Sequence, residues 1–167
     1  MSNDLLAAAL DIMASTPALL RSLLDALPDE VTEQPADATW SPKDVVAHLL
    51  MTSKQGGVTR IRAIIAQDEP ALPAFDEEVE LERSGLRVRP LAEILDEFAR
   101  VREDDVVWLK KLDGASLARS GRHSQVGLVT AEEFLYHSAH HDCLHIGQLS
   151  AMIQGQFEPL RGAMRVF

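Results

Sequence analysis

The sequence predicts an all-α protein, a four-helix bundle with one long crossover connection, and three observations support this fold class. Apolar residues recur at helical spacing in nearly every periodic stretch, and no run shows convincing alternation of apolar and polar residues. Helix-start signals stand at Ser41 and at Thr130. Between two helical patterns, the acidic, proline-containing residues 68–89 are too long for a simple turn, so they are expected to cross over the bundle.

Length and composition predict one domain over residues 1–167. A chain of 167 residues with 46% hydrophobic residues can bury a full core. Its net charge of −10 argues against a nucleic-acid partner and against an anionic membrane surface. The single cysteine, Cys143, excludes an internal disulfide. No signal-like start and no apolar run long enough for a bilayer is apparent, so a cytoplasmic location is expected.

The first predicted helix carries an apolar stripe over residues 5–27. Thr16-Pro17 interrupts the stripe, which indicates either a bend or a fresh start with Thr16 as N-cap. The polar, proline-containing stretch 28–38 is expected to end the helix.

The second helix is expected to begin after Ser41, a favourable N-cap followed by proline and, in the first turn, by Asp44. It should run to about Ala66 and pass through the pair Gly56-Gly57. Glycines within a helix cost stability, so this pair indicates a kink or a close backbone approach.

A short helix around Asp76 to Arg83 is expected within the crossover. The third helix should extend from Pro90 to Leu112, followed by a glycine-containing loop over residues 113–129. Its inner face is predicted to carry Leu91, Ile94, Leu95, Phe98, Val101, Asp105, Trp108 and Leu112.

The last long helix should begin at a T-x-x-E capping box, Thr130 to Glu133, and continue to Ile153. Gly155 stands just beyond that expected end. The residues after it form a tail to which the sequence assigns no structure.

The segment Tyr136 to Gln148 contains four of the six histidines in the chain. Positions four apart stack on one helix face, so His137, His141 and His145 form a ladder. Along the same helix, residues spaced alternately four and three positions apart are predicted to face the core, and we call this row of positions the seam. The residues in the middle of the seam are polar. The members of the seam are Phe134, Ser138, His141, His145, Gln148 and Met152.

Two inward-facing imidazoles need partners, because each unsatisfied buried polar group costs roughly 1–3 kcal/mol. They could share a metal ion, as H-x-x-x-H pairs do elsewhere, or belong to a neutral hydrogen-bonded layer. A third ligand is available in His48, which lies on a core-facing stripe of the second helix. Three histidines on one side of an ion leave its other side open, as in catalytic sites.

The remaining candidates have plainer interpretations. His123, in a predicted loop, and His140, which points away from the seam, are expected to be solvated. Cys143 lies across the helix from His141, so it is expected to be a packed or surface thiol. His137 is expected to line the pocket.

Two motifs resemble those of the DinB-like superfamily. Trp40-Ser41-Pro42-Lys43-Asp44-Val45-Val46-Ala47-His48-Leu49 resembles its W-S-x-x-[DE]-[VIL]-x-x-H-L motif. His141-Asp142-Cys143-Leu144-His145-Ile146-Gly147-Gln148-Leu149 resembles its H-D-x-x-H-x-x-Q-[IL] motif. The order and separation of the two motifs also fit that superfamily.

The resemblance implies a four-helix bundle that holds one divalent ion, usually zinc or nickel, on three histidines. Carried onto this chain, the ligands are His48, His141 and His145, the same three that the seam indicates. Members include bacillithiol transferases, mycothiol-dependent isomerases and glutathione-using relatives, and many are homodimers. The expected function is therefore metal-dependent S-transfer between a small thiol and an electrophile, with hydrolysis also open.

Three further residues are candidates for orienting ligands or substrate: His137, Gln148 and Arg60. One departure from the family concerns acidic residues, which many relatives carry in the turns after the first histidine. Met51 and Ser53 occupy that stretch here. The departure keeps an alternative open, in which the chain is a non-catalytic stress-response bundle that binds a metal or small ligand.

Overall fold

The computed structural model describes residues 2–34 and 40–166, and four long helical segments enclose its core. These segments are α1 (Ser2–Leu24), α3 with α4 (Pro42–Gln55 and Gly57–Ala66), α6 (Leu91–Leu109) and α8 (Ala131–Phe157). α1 packs against α6 and α8, while α3 contacts α6 and α4 contacts α8. The predicted four-helix bundle is confirmed.

Shorter elements fill the connections between the long helices. They are α2 (Asp29–Glu33), β1 (Ala71–Leu72), α5 (Glu77–Ser84), α7 (Gly114–Leu117), β2 (Ser120–His123), β3 (Gly127–Thr130) and two 3₁₀ segments, Leu86–Val88 and Glu158–Val166. The predicted end of the first helix is correct in position, although α2 follows it and residues 35–38 of that stretch lie outside the described residues.

α1 continues through Pro17, so of the two alternatives at Thr16 the fresh helix start is wrong. The Thr16 hydroxyl donates to the carbonyl of Ile12 at 2.9 Å rather than capping a new helix. Burial of Met13 and Leu20 on the inner face favours one continuous helix despite the local cost of a proline.

α1 also corrects the expectation that no segment could span a bilayer. By length and composition Asp4–Leu24 could cross a membrane, with a mean hydropathy of 1.2. The core helix of a soluble protein passes the same test, and α1 buries its inner face against α6 and α8.

The expected kink at the glycine pair is confirmed, because the chain breaks at Gly56 between α3 and α4. A Cβ atom on Gly56 would lie 3.0 Å from the Thr52 carbonyl oxygen, and one on Gly57 would lie 3.1 Å from the Ser138 hydroxyl. The backbone therefore approaches its neighbours more closely than a side chain would allow. The break redirects the chain so that α3 packs mainly against α6 and α4 mainly against α8.

The crossover contains the expected short helix, α5, whose N-cap Asp76 accepts hydrogen bonds from the amides of Glu78 and Val79, both at 3.1 Å. Leu81 is fully buried and anchors α5 against α3. This anchoring brings the start of α5 close to the histidine-bearing part of α3.

The plain loop expected over residues 113–129 is wrong, because that stretch contains α7 and most of two short strands. β1 pairs in parallel with β2, and β2 pairs antiparallel with β3. Strands of two to four residues are too short to show alternation, so the sequence carries no periodic signal for them. A Cβ on Gly121 would lie 2.7 Å from Leu72 Cδ1. Because glycine has no side chain, β2 can approach Leu72 this closely.

The capping box of the last helix is confirmed, but its predicted end is wrong. The Thr130 hydroxyl accepts from the Glu133 amide at 3.1 Å, and the Glu133 carboxylate accepts from the Thr130 amide at 2.7 Å. α8 passes Ile153 and Gly155 and ends at Phe157. One exposed glycine costs only about 1 kcal/mol, so the helix tolerates it.

A layer of buried polar residues separates two apolar clusters of the core. Along α8, Leu135 and Ala139 belong to the first cluster and Leu149 to the second. The polar layer between them contains Thr16 of α1, Ser53 of α3, Arg102 of α6 and Asp142 of α8, together with His48 and His145. These six polar groups therefore lie between the two apolar clusters.

Candidate metal centre

Three imidazoles from two helices converge beside this polar layer. His48 Nε2 lies 3.1 Å from His141 Nε2, and His145 Nε2 lies 3.2 Å from the same atom. One ring nitrogen from each histidine lies within 4.8 Å of the other two. The i, i+4 spacing places two rings on the inner face of α8, and α3 presents the third. The structure therefore brings together all three sequence-predicted ligands.

The environment keeps these imidazoles neutral. Burial, with the neighbouring His145, lowers the pKa of His48 from 6.5 to about 4. Burial and the adjacent histidines lower the pKa of His141 to about 3. Burial also lowers the pKa of His145, although its bond to Gln148 opposes the shift. At neutral pH each ring therefore retains a lone pair that a cation can bind.

Gln148 selects the tautomer of His145. Its Oε1 lies 2.7 Å from His145 Nδ1, and an amide oxygen can only accept a hydrogen bond. The proton of His145 therefore resides on Nδ1, and Nε2 presents a lone pair to the other two histidines.

The close nitrogens cannot satisfy one another by hydrogen bonds alone. His141 Nε2 carries one hydrogen at most, yet it approaches Nε2 of both His48 and His145. If that nitrogen is bare, its lone pair faces the lone pair of His145. If it is protonated, its neighbours must share a single hydrogen. A neutral hydrogen-bonded layer therefore accounts poorly for this geometry.

The two separations from His141 Nε2 fit a bound cation better. Tetrahedral zinc with Zn–N distances of about 2.0–2.1 Å separates its nitrogen ligands by about 3.3 Å. The separations of 3.1 and 3.2 Å from His141 Nε2 are close to that value. The donor set of three neutral imidazoles suits zinc, nickel, copper or iron.

Trp40 covers one side of the cluster. Its ring centroid lies 4.8 Å from that of His48 and 6.1 Å from that of His145. Its indole nitrogen donates to Glu78 Oε2 at 3.0 Å, which ties this side to the crossover helix α5. The indole therefore shields two of the imidazoles from solvent.

The other side faces a cavity and carries a carboxylate. Glu77 Oε2 lies 3.8 Å from His48 Nε2, and the Glu77 side chain is 56% exposed. Met51 and Ser53 leave α3 without an acidic residue near the site, but α5 supplies one from the crossover. Sequence reasoning missed Glu77 because only the packing of α5 on α3 brings it there.

The cavity extends from His141 to the β-hairpin formed by β2 and β3. Its inner part, which His141 lines, has a volume of about 60 Å³, and its outer part has a volume of about 420 Å³. The residues that line both its inner and outer parts are Arg60, Phe75, Glu77, Phe134 and His137. His137, 6.0 Å from His141 between ring centroids, lines this cavity as expected.

A buried ion pair lies next to the histidines in the bundle interior, and it was not predicted from the sequence. Arg102 Nη2 donates to Asp142 Oδ1 at 3.0 Å and to the Ser53 hydroxyl at 3.2 Å. Burial raises the pKa of Asp142, while the Arg102 charge opposes that shift. The signal for this pair was the aspartate that follows His141 in the second motif, a residue that the predicted seam does not include.

The other candidates fall outside the cluster. Cys143 and His140 are exposed, as expected. His123 lies on β2 rather than in a loop and is half-buried, so the expectation of full solvation is wrong. Burial lowers the pKa of His123, and the nearby Arg60 and His137 add to that shift.

Comparison with known proteins gives a family and a fold. The sequence profile of the DinB superfamily matches residues 13–149. YfiT from Bacillus subtilis has a similar structure, with a TM-score of 0.77 and 20% identity over 92% of this chain and 90% of that chain. YfiT is described as a probable metal-dependent hydrolase with an unusual four-helix bundle topology. At this identity the likeness shows a common fold. A comparison with curated proteins finds no match.

Proposed function

This chain belongs to the DinB superfamily, and on that basis we propose that it is a metal-dependent enzyme that transfers a small thiol to an electrophile. The observation that carries the proposal is the convergence of three neutral imidazoles on a point that borders an open cavity. A structural metal would be enclosed by four protein ligands, whereas three ligands leave room for a reactant.

His48, His141 and His145 would hold the ion through Nε2, and Gln148 would orient His145 by accepting from Nδ1. A divalent ion held there lowers the pKa of a thiol or a water molecule and so makes a nucleophile at neutral pH.

Glu77 is placed to accept the proton that the nucleophile loses, because its Oε2 lies 3.8 Å from His48 Nε2 on the cavity side. The thiolate sulfur then forms a bond to the electrophilic carbon, and the leaving group departs with its electron pair. Arg60 and His137 line the cavity in which the electrophile would lie.

Elemental analysis of the purified protein tests the metal site. The wild type and His140→Ala should contain close to one equivalent of zinc or nickel, and His141→Ala should lose it. His140 is a matched control because it is an exposed histidine next to His141 on α8. Absence of metal from the wild type after reconstitution with both ions would contradict the proposal.

A thiol screen tests the reaction. Bacillithiol, mycothiol and glutathione are each mixed with monochlorobimane and the metal-loaded protein, and the loss of free thiol is followed. Turnover by the wild type and its loss in His141→Ala would support S-transfer. Metal binding without turnover would favour the non-catalytic alternative, a stress-response bundle that holds a metal or small ligand.

Hydrolysis is the second candidate, and the structural likeness to YfiT favours it. The same three histidines and Glu77 would then act on water rather than on a thiol. Ester cleavage by metal-loaded protein that is inactive toward all three thiols would select this reaction.

We also propose a cytoplasmic homodimer. Leu5, Ile12 and Leu19 are exposed at seven-residue spacing along α1, and such an apolar stripe could pack against a second copy. Analytical ultracentrifugation would show twice the monomer mass, and a charged replacement at Ile12 should then yield monomers.

A further inference from the structure

The cavity beside the histidines contains a cation held between two aromatic rings. The Arg60 guanidinium carbon lies 5.0 Å from the ring centroid of Phe75 and 5.8 Å from that of Phe134. Arg60 Nη2 donates to the Pro73 carbonyl at 2.7 Å, which fixes the orientation of the group. Cation–π contacts and one backbone bond thus hold a rigid guanidinium at the cavity wall.

Several N–H donors of the Arg60 guanidinium remain available to a ligand. A guanidinium carries five N–H donors, and the Pro73 carbonyl accepts from one nitrogen only. Among the described residues, no carboxylate lies within ion-pair distance of it. Arg62, two positions further along α4, instead pairs with Asp105 at 3.1 Å. Burial lowers the pKa of Arg60, with the distant Glu77 charge opposing this shift, so an anion in the cavity would be favourable.

The other charged groups of the cavity are already engaged. The Glu133 carboxylate accepts from the Thr130 amide at 2.7 Å and from the Thr130 hydroxyl at 2.9 Å. Arg102 is neutralised by Asp142, and Glu77 lies 3.8 Å from the neutral His48. Glu77 acts on Arg60 only at longer range. Arg60 is thus the arginine of the described lining that has no carboxylate within ion-pair distance.

The rest of the outer wall is mixed. Phe75 and Phe134 flank Arg60, and Val126 and Val129 of the hairpin region add apolar surface, while the polar part of the lining is Glu77, His123, Gln125, Glu133 and His137. A volume of about 420 Å³ suits a small molecule rather than a chain segment. One arginine without a second cation favours a singly charged carboxylate over a phosphate dianion.

We propose that the substrate carries a carboxylate that Arg60 binds, and an apolar or aromatic body that packs against Phe75 and Phe134. Its reacting end would then point toward His141, because Arg60 and His141 line the same inner part of the cavity. This inference rests on the proposed function for what happens at that end, but the binding of the carboxylate does not depend on the metal.

Calorimetric titration with phenylacetate and with its neutral isostere phenylacetamide tests the proposal, in zinc-loaded and in chelator-treated protein. The wild type should bind phenylacetate at least tenfold more tightly than phenylacetamide in both forms. Arg60→Gln should remove this preference while leaving the affinity for phenylacetamide unchanged. Arg100→Gln is the matched control, because Arg100 is exposed on α6 and away from the cavity.

The outcomes separate the two proposals. A preference that persists in Arg60→Gln, equal affinities in the wild type, or no binding of either probe would overturn the assignment of Arg60. Loss of metal binding with a retained preference for phenylacetate would instead contradict only the proposed function. Circular dichroism confirms that Arg60→Gln is folded, and Arg60→Lys, which retains the charge, should recover part of the preference.

Discussion

Arg102 of α6 donates a hydrogen bond of 3.0 Å to Asp142 of α8, and both side chains lie in the bundle interior with exposures of 5% and 1%. Asp142 directly follows His141 in the chain, so the pair fixes the rotation of α8 at the level of the histidines. The same guanidinium reaches the Ser53 hydroxyl at 3.2 Å, which adds α3 to the connection. One ion pair thus joins the elements that carry the site.

Asp142→Asn should lower the free energy of unfolding by about 3–5 kcal/mol, because Arg102 would remain buried without its anion. Urea denaturation of the metal-free protein measures the change. Asp96→Asn is the matched control, since Asp96 pairs with Arg21 at the surface and should change stability by about 1 kcal/mol or less. Equal effects of the two substitutions would show that burial does not govern the Arg102 pair.

Gln148→Leu should weaken zinc binding by about 10–100-fold, because His145 would lose the acceptor that selects its tautomer. Competition with a chromogenic zinc chelator measures the dissociation constant. Gln154→Leu serves as control, since Gln154 is an exposed glutamine of the same helix. An unchanged affinity in Gln148→Leu would mean that the 2.7 Å contact does not orient the ring.

Glu77→Gln should reduce kcat by about 100-fold or more if Glu77 accepts the proton of the nucleophile. The metal content should remain that of the wild type, because the three histidines are untouched. Steady-state kinetics beside elemental analysis checks both expectations. Glu82→Gln, a substitution of an exposed glutamate on α5, should change neither quantity. Loss of metal from Glu77→Gln would instead make Glu77 a ligand.

The metal-free protein should lose stability as the pH falls from 6.5 toward 4. The pKa of His48 is about 4 and that of His141 about 3 in the folded state, against 6.5 in the unfolded chain. The unfolded chain therefore binds protons in this window that the native protein excludes, and each such histidine contributes about 1.4 kcal/mol per pH unit. Above pH 6.5 this contribution is complete.

Urea denaturation between pH 4 and 7 in the presence of chelator measures that slope. His48→Gln should make the slope shallower by about one proton, since one buried imidazole is gone. His140→Gln should leave the slope unchanged, because that side chain is exposed. A steep slope that persists in His48→Gln would assign the effect to other groups.

Sequence periodicity and capping were sufficient to locate the four long helical segments, although not the short helices α2 and α7. The T-x-x-E box begins α8 at the predicted residue, and the Ser41 side chain caps α3 together with Asp44. These signals are local, since a cap and its amide lie within three residues of each other. The end of α8 was wrong because Gly155, a weak stop signal, has no conformational requirement there.

The three histidines followed from the sequence because the seam and the two motifs indicate the same residues. The sequence by itself determined which helix faces are apolar and which core-facing positions of the last helix are polar. These features in turn determined the set of potential metal ligands. Helical spacing converts chain position into direction over short distances, so these features require no knowledge of the packing.

Only the tertiary structure decided what surrounds those histidines. Glu77 reaches His48 from the crossover, Arg102 reaches Asp142 from α6, and Arg60 lies between Phe75 and Phe134. The short strands that shape the cavity pair residues about fifty positions apart, Ala71 with Arg122. Such contacts depend on how helices pack and loops close, and no periodic pattern along the chain records them.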